Sequence, residues 1–138
     1  MNTKFHLALP CEDITKTKLF YLDILGMSVG RQTEKWVDIN LFGNQITFTN
    51  AGEFNFNFKE YRLGKHVLPS FHFGVIVDST IWGELYTKLF QESTLEVTTQ
   101  ISFMDKKNGE HLSFFVKDPN GYMIEFKSFK DENQVFTS

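Results

Sequence analysis

At 138 residues the chain suits one compact domain, and 41% apolar with 16% aromatic residues, sixteen Phe among them, supply a core and exclude disorder over most of the length. A formal net charge of -3 with acids and bases intermixed offers no field for phosphate backbones, so nucleic acid is not expected and a small-molecule substrate is. The lone Cys11 excludes an internal disulfide, and no run reads as a signal peptide or membrane span, so a cytoplasmic protein with no membrane partner is expected.

Lys4 to Leu9 predicts a strand, left through Pro10 to Glu12, and Asp13 is placed to cap a helix running to about Leu25 before Gly26. Strands are predicted at Met27 to Gln32, Lys35 to Leu41 and Gln45 to Thr49. The pattern then restarts. Phe71 to Val77 predicts a strand, Asp78 or Ser79 a cap, and Ile81, Leu85 and Leu89 mark the buried stripe of a helix. Strands follow at Leu95 to Phe103, His111 to Lys117 and Tyr122 to Phe126, with Asn108-Gly109 as a hairpin signal and Asp118-Pro119-Asn120-Gly121 as a type I turn. Gly43 takes the place of Gly121 in the first half. The expected organisation is therefore α+β, two βαβββ modules at about 3–50 and 70–129 in a single domain.

The linker at about 51–69 is long, and carries Phe54, Phe56 and Phe58 at period two followed by Tyr61, Arg62 and His66. A lid and a packed crossing segment both fit such a stretch, and packing is favoured. Lys130 to Ser138 reads as a polar tail with Val135 and Phe136 as docking residues. Cys11 reads as a small packed residue.

Strand alternation sorts the polar residues. Phe5, Leu7 and Leu9 share the core face of the first strand and leave His6 opposite; Phe71, Phe73, Val75 and Val77 leave His72 opposite in the same way. In the last strand Ile124 and Phe126 take the core face, and Glu125 turns with Met123 and Lys127 to the face of the histidines. A carboxylate in so apolar a segment demands protonation, a countercharge or a metal. Equivalent histidines in two repeats plus that glutamate point to one divalent metal held by His6, His72 and Glu125.

The opening FHLALPCEDITKTKLFYLDILGMSVG, the restart FHFGVIV and the closing FFVKDPNGYMIEFK resemble the vicinal oxygen chelate superfamily, which includes glyoxalase I, extradiol dioxygenases, fosfomycin resistance proteins and bleomycin-binding proteins. The resemblance implies that the module sheets curl into a mixed-sheet cup with helices outside, completed within one chain or across a homodimer. It also implies metal ligands on the first and last strands of the modules, where His6, His72 and Glu125 match. Aligning Gly43 with Gly121 brings Thr47 opposite Glu125, where glyoxalase-like members supply a second glutamate; a shift of two residues offers Gln45 or Thr49, neither a carboxylate.

Two histidines and one carboxylate suit Fe(II), with Zn, Ni or Mn as alternatives, and favour extradiol-dioxygenase-like chemistry on adjacent oxygens. A glyoxalase-like isomerase or lyase, and a non-catalytic protein that sequesters an antibiotic-type ligand, are the rival readings. Acid–base candidates are His66, His111 and Tyr61. Glu110 is a candidate to orient a ligand histidine, and Lys127 to meet an anionic substrate.

Overall fold

The computed structural model describes residues 3–137, so Ser138 at the end of the predicted tail lies outside the described residues. In chain order the elements are β1 (His6–Cys11), α1 (Ile14–Leu19) widening into a π-helical segment (Phe20–Ile24), β2 (Ser28–Gln32), β3 (Trp36–Leu41) and β4 (Asn44–Asn50). A hairpin of β5 (Glu60–Leu63) and β6 (His66–Pro69) follows, then β7 (His72–Ile76), α2 (Ser79–Phe90), β8 (Ile101–Phe103), β9 (His111–Lys117) and β10 (Met123–Phe129). The chain packs as two units. One ends at Asn57 and also takes in Asp118–Gly121; the other comprises Phe58–Lys117 and resumes at Tyr122.

In the first unit the sheet order is β1-β4-β3-β2, with β1 parallel to β4 and the other pairs antiparallel. A parallel pair needs a crossover, and the helix provides it. Asp13 starts α1 by accepting a hydrogen bond from the Lys16 amide at 2.8 Å. Phe20, Tyr21 and Leu25 on the helical side, and Val37, Ile39, Leu41, Ile46 and Phe48 on the sheet, are all buried, and the Tyr21 and Phe48 rings lie 5.0 Å apart. The Asp-Pro-Asn-Gly turn belongs to this core. The Tyr21 hydroxyl donates to Asp118 Oδ2 (2.9 Å), Asn120 Nδ2 donates to Thr17 Oγ1 (3.2 Å), and Asn120 Oδ1 accepts from the Glu12 amide (2.9 Å). Cys11 is fully buried, and burial chiefly pushes its thiol up.

The second unit repeats the pattern as β7-β10-β9-β8, with β7 parallel to β10. Asp78, not Ser79, caps α2 by accepting from the Ile81 amide at 2.8 Å. The buried stripe is Trp82, Leu85 and Leu89; Trp82 displaces the expected Ile81 because its indole nitrogen donates to the Phe126 carbonyl (2.9 Å) while its ring packs edge-on against Phe114. The strand expected over Leu95 to Phe103 contracts to Ile101–Phe103, with Val97 bridging Val116. Asn108-Gly109 does not form a tight hairpin: positive φ at Met104, Lys106 and Gly109 spreads the reversal over 104–110.

The linker carries two strands that its mixed composition hid. Leu68 is buried and the Phe58 and Phe71 rings are 6.4 Å apart, whereas Tyr61, Leu63 and Val67 are exposed. Phe5 falls outside β1 and is 59% exposed, so it does not join Leu7 and Leu9; Phe136 is wholly exposed, so it does not dock on the described residues. Among the described residues no helix is long and apolar enough to cross a membrane.

Gly74 sits where β7 crosses Glu125, and a Cβ there would run into the Glu125 main chain. Gly74→Ala is expected to destabilise the protein by about 3 kcal/mol in urea titrations, since backbone on both sides must shift. Tyr21→Phe, which removes the buried donor to Asp118, should cost about 1.5–3 kcal/mol by the same measurement.

Candidate functional site

The register of the second sheet sets His72 beside Met123 and Gly74 beside Glu125, so the histidine and the carboxylate share a face across adjacent strands. His72 Nε2 lies 3.3 Å from Glu125 Oε1, and its Nδ1 lies 2.9 Å from the Pro69 carbonyl oxygen. A carbonyl only accepts, so Nδ1 carries a proton; Nε2 then presents either a second proton or a lone pair to the carboxylate. A lone pair needs a cation between the two.

Glu125 is buried, and Lys127 Nζ stands 3.6 Å from its Oε1. Burial pushes the carboxyl up, but the His72 hydrogen bond, Lys127 and Ser113 together hold it below the ordinary carboxylate value, while Glu125 in turn pushes His72 up. Ser113 is wholly buried and its hydroxyl makes no hydrogen bond of ordinary geometry, although it favours the charged carboxylate. The donor set fits a divalent metal: an imidazole nitrogen fixed by its other nitrogen, a buried carboxylate, and a spacing that suits two donors sharing one ion at about 2.1 Å.

Of the acid–base candidates, His66 and His111 both lie near Phe103, with ring centroids 5.7 and 5.0 Å away, and His111 is 4.7 Å from Phe129. His111 Nδ1 contacts the Gly109 carbonyl oxygen at 2.8 Å, which leaves the Nε2 lone pair free in the neutral ring. Tyr61 is exposed on β5, and among the described residues its side chain has no hydrogen bond or ring contact. Glu110 pairs with Lys130 at 3.4 Å.

His6 lies in the first unit, exposed on β1 and paired in register with Gln45, as His72 is with Met123. The same register puts Ala8 beside Thr47 where the second sheet has Gly74 beside Glu125, so Thr47 holds the place of the second carboxylate. Among the described residues no group of three or more His, Cys, Asp or Glu side chains gathers to hold a metal.

The sequence reading missed Asp38. It is buried opposite Thr47 and accepts from Thr47 Oγ1 (2.7 Å), Gln45 Nε2 (3.0 Å) and Arg31 Nε (3.1 Å). The signal lay in alternation: Val37, Ile39 and Leu41 take the core face and leave Asp38 and Asn40 with Thr47 and Gln45. Burial raises the Asp38 carboxyl, but those three donors more than compensate and hold it below its ordinary value.

A depressed carboxylate contributes stability that is present above its unfolded value and is lost as pH falls through the folded one. The difference in stability between wild type and Asp38→Asn should therefore be constant above about pH 4 and shrink towards pH 2 in thermal melts.

No curated protein sequence matches the chain. It is 23% identical to the crystal structure of a glyoxalase/bleomycin resistance protein/dioxygenase from Alicyclobacillus acidocaldarius, with a TM-score of 0.80 over 98% of this chain and 97% of that one. It is also similar to lactoylglutathione lyase from Agrobacterium tumefaciens (15% identity, TM-score 0.64, 93% and 94% covered) and to the fosfomycin resistance protein FosX from Listeria monocytogenes (16%, 0.64, 98% and 99%). These likenesses carry the fold. The family model for the Glyoxalase/Bleomycin resistance protein/Dioxygenase superfamily matches residues 5–126, and with the duplicated βαβββ sheets this makes the chain a member of that superfamily.

Proposed function

We propose that the chain is a small metal-dependent enzyme acting on a substrate with adjacent oxygen functions, and that its reaction is oxygen-dependent ring cleavage of the extradiol type. The observation that carries this is the His72–Glu125 pair, an imidazole nitrogen and a buried carboxylate oxygen close enough to share a proton or a cation. His72 and Glu125 would hold the ion. The first sheet offers no free carboxylate at the matching register, since Thr47 stands there and Asp38 beside it is committed to Arg31, Gln45 and Thr47.

A divalent metal there, Fe(II) before Zn, Ni or Mn, would supply Lewis-acid and oxygen-activating chemistry for a substrate with vicinal oxygens. Lys127 offsets the charge of Glu125 and favours an anionic substrate oxygen near it. Phe103, His111 and Phe129 form a run of rings on which a planar substrate can stack. His111, its Nδ1 occupied by Gly109, is the group best arranged to accept a proton at Nε2; His66 follows, and Tyr61 comes last.

Elemental analysis of protein purified without chelator tests the reading. Near-stoichiometric iron is expected in wild type, and His72→Ala should lose at least the about 10–100-fold in affinity that removing a mere supporting residue costs. Catechols should then drive oxygen uptake. Zinc or nickel in place of iron turns the reading to a glyoxalase-like isomerase or lyase; no metal in either protein, even after reconstitution, leaves a binding protein.

A further inference from the structure

We propose that the cavity over β3 of the first unit is an oxyanion subsite in which Arg31 grips a carboxylate or phosphoryl group of the ligand. The cavity measures about 420 Å³, and its lining includes Lys4, His6, Arg31, Asp38, Asn40 and Gln45.

Arg31 owes its place to an irregularity. Val29 pairs with Ile39 but Gln32 pairs with Val37, so β2 holds one residue more than β3 across this stretch. Such a bulge re-aims side chains, and it brings Arg31 Nε to 3.1 Å from Asp38 Oδ2. The guanidinium also lies 5.2 Å from the centre of the Trp36 ring. Asp38 is itself fixed, because Thr47 and Gln45 donate to it from the neighbouring strand.

An arginine whose side chain is 75% exposed would ordinarily sample many rotamers. This one is held from two sides, and among the described residues only its Nε has a hydrogen-bond partner. The four remaining N–H donors form the planar edge that carboxylates and phosphates take in bidentate fashion. Asn40 accepts from the Gly43 amide through Oδ1 at 2.7 Å, which leaves its Nδ2 as a further donor. Asp38 is the sole acid in the lining and is matched by Arg31, so Lys4 leaves the cavity net positive.

The inference deepens the proposed function by naming a charged end on its substrate. It rests on that reading only for the reaction, since anion binding is measurable without metal. The test is a titration of the metal-free, 15N-labelled full chain with inorganic phosphate and with acetate, using sodium chloride at matched ionic strength as the comparison. The Arg31 Nε–H and Asn40 side-chain amide resonances report.

Saturable shifts with phosphate or acetate but not chloride are expected, weakened about tenfold or more in Arg31→Gln and also weakened in Arg31→Lys, which keeps charge but loses the fork. Saturation by phosphate alone assigns a phosphoryl group; saturation by acetate alone assigns a carboxylate. Shifts that stay linear and match chloride, or that saturate equally in Arg31→Gln, overturn the proposal. Should Arg31→Gln fail to fold, wild type against chloride and Arg31→Lys decide. Anion binding in a protein that takes no metal would sink the metal reading alone, and a metal-loaded protein blind to both anions would sink this one alone.

Discussion

Each module depends on one pairing: its first strand runs parallel to its last. Parallel neighbours cannot be joined by a tight turn, so the connection must leave the sheet, and in both modules it leaves as a helix that covers one face. The covered face takes the apolar residues, and the other is left for chemistry. Two strands far apart in sequence become adjacent on that open face. His72 meets Glu125 this way across 53 residues of chain, a juxtaposition that no local motif could deliver.

Duplication gives the same register twice, yet the two open faces treat buried charge differently. In the second module the carboxylate stands on the last strand, and its neighbours are a histidine, a lysine and an orphan hydroxyl, of which the histidine needs a proton or a metal to be compatible with it. The first module has Thr47 at that register and moves the carboxylate to β3, where three permanent donors surround Asp38. One arrangement needs a proton or a cation to be complete, and the other is complete as it stands. A carboxylate with three committed donors has little capacity left as a ligand.

The elements and the open-face residues were legible because period-two alternation is strong in apolar strands and because the chain says it twice. Asp13 and Asp78 as caps, the strand faces of His6, His72 and Glu125, and Thr47 at the position of Glu125 all follow from local pattern plus the repeat. The linker hairpin was not legible: Lys, Glu, Arg and Gly interrupt any alternation there, and among the described residues its strands pair only with each other. Asp38 escaped notice because a polar residue in a strand is ordinarily solvated; here it is buried with Thr47, Gln45 and Arg31 donating to it, the last from the irregular stretch of β2. Phe5 and Phe136 show the converse, apolar residues that the described elements leave exposed.

The asymmetry between Ala8 and Gly74 bears on how firmly each site is held. Ala8 stands beside Thr47 with an ordinary Cβ, whereas at Gly74 the strands come so close that no side chain fits against the Glu125 backbone. Glycine in a strand interior weakens it and marks a close approach, and here that approach fixes the main chain on both sides of the carboxylate. His72, two residues away on the same strand, is anchored through Pro69 on β6 and edge-on against Phe115. Backbone proximity locates Glu125 and a hydrogen bond orients His72, so neither group relies on the other for its position. A pair held in place by its scaffold keeps its spacing whatever stands between the two groups, which is the property a metal site requires of its ligands.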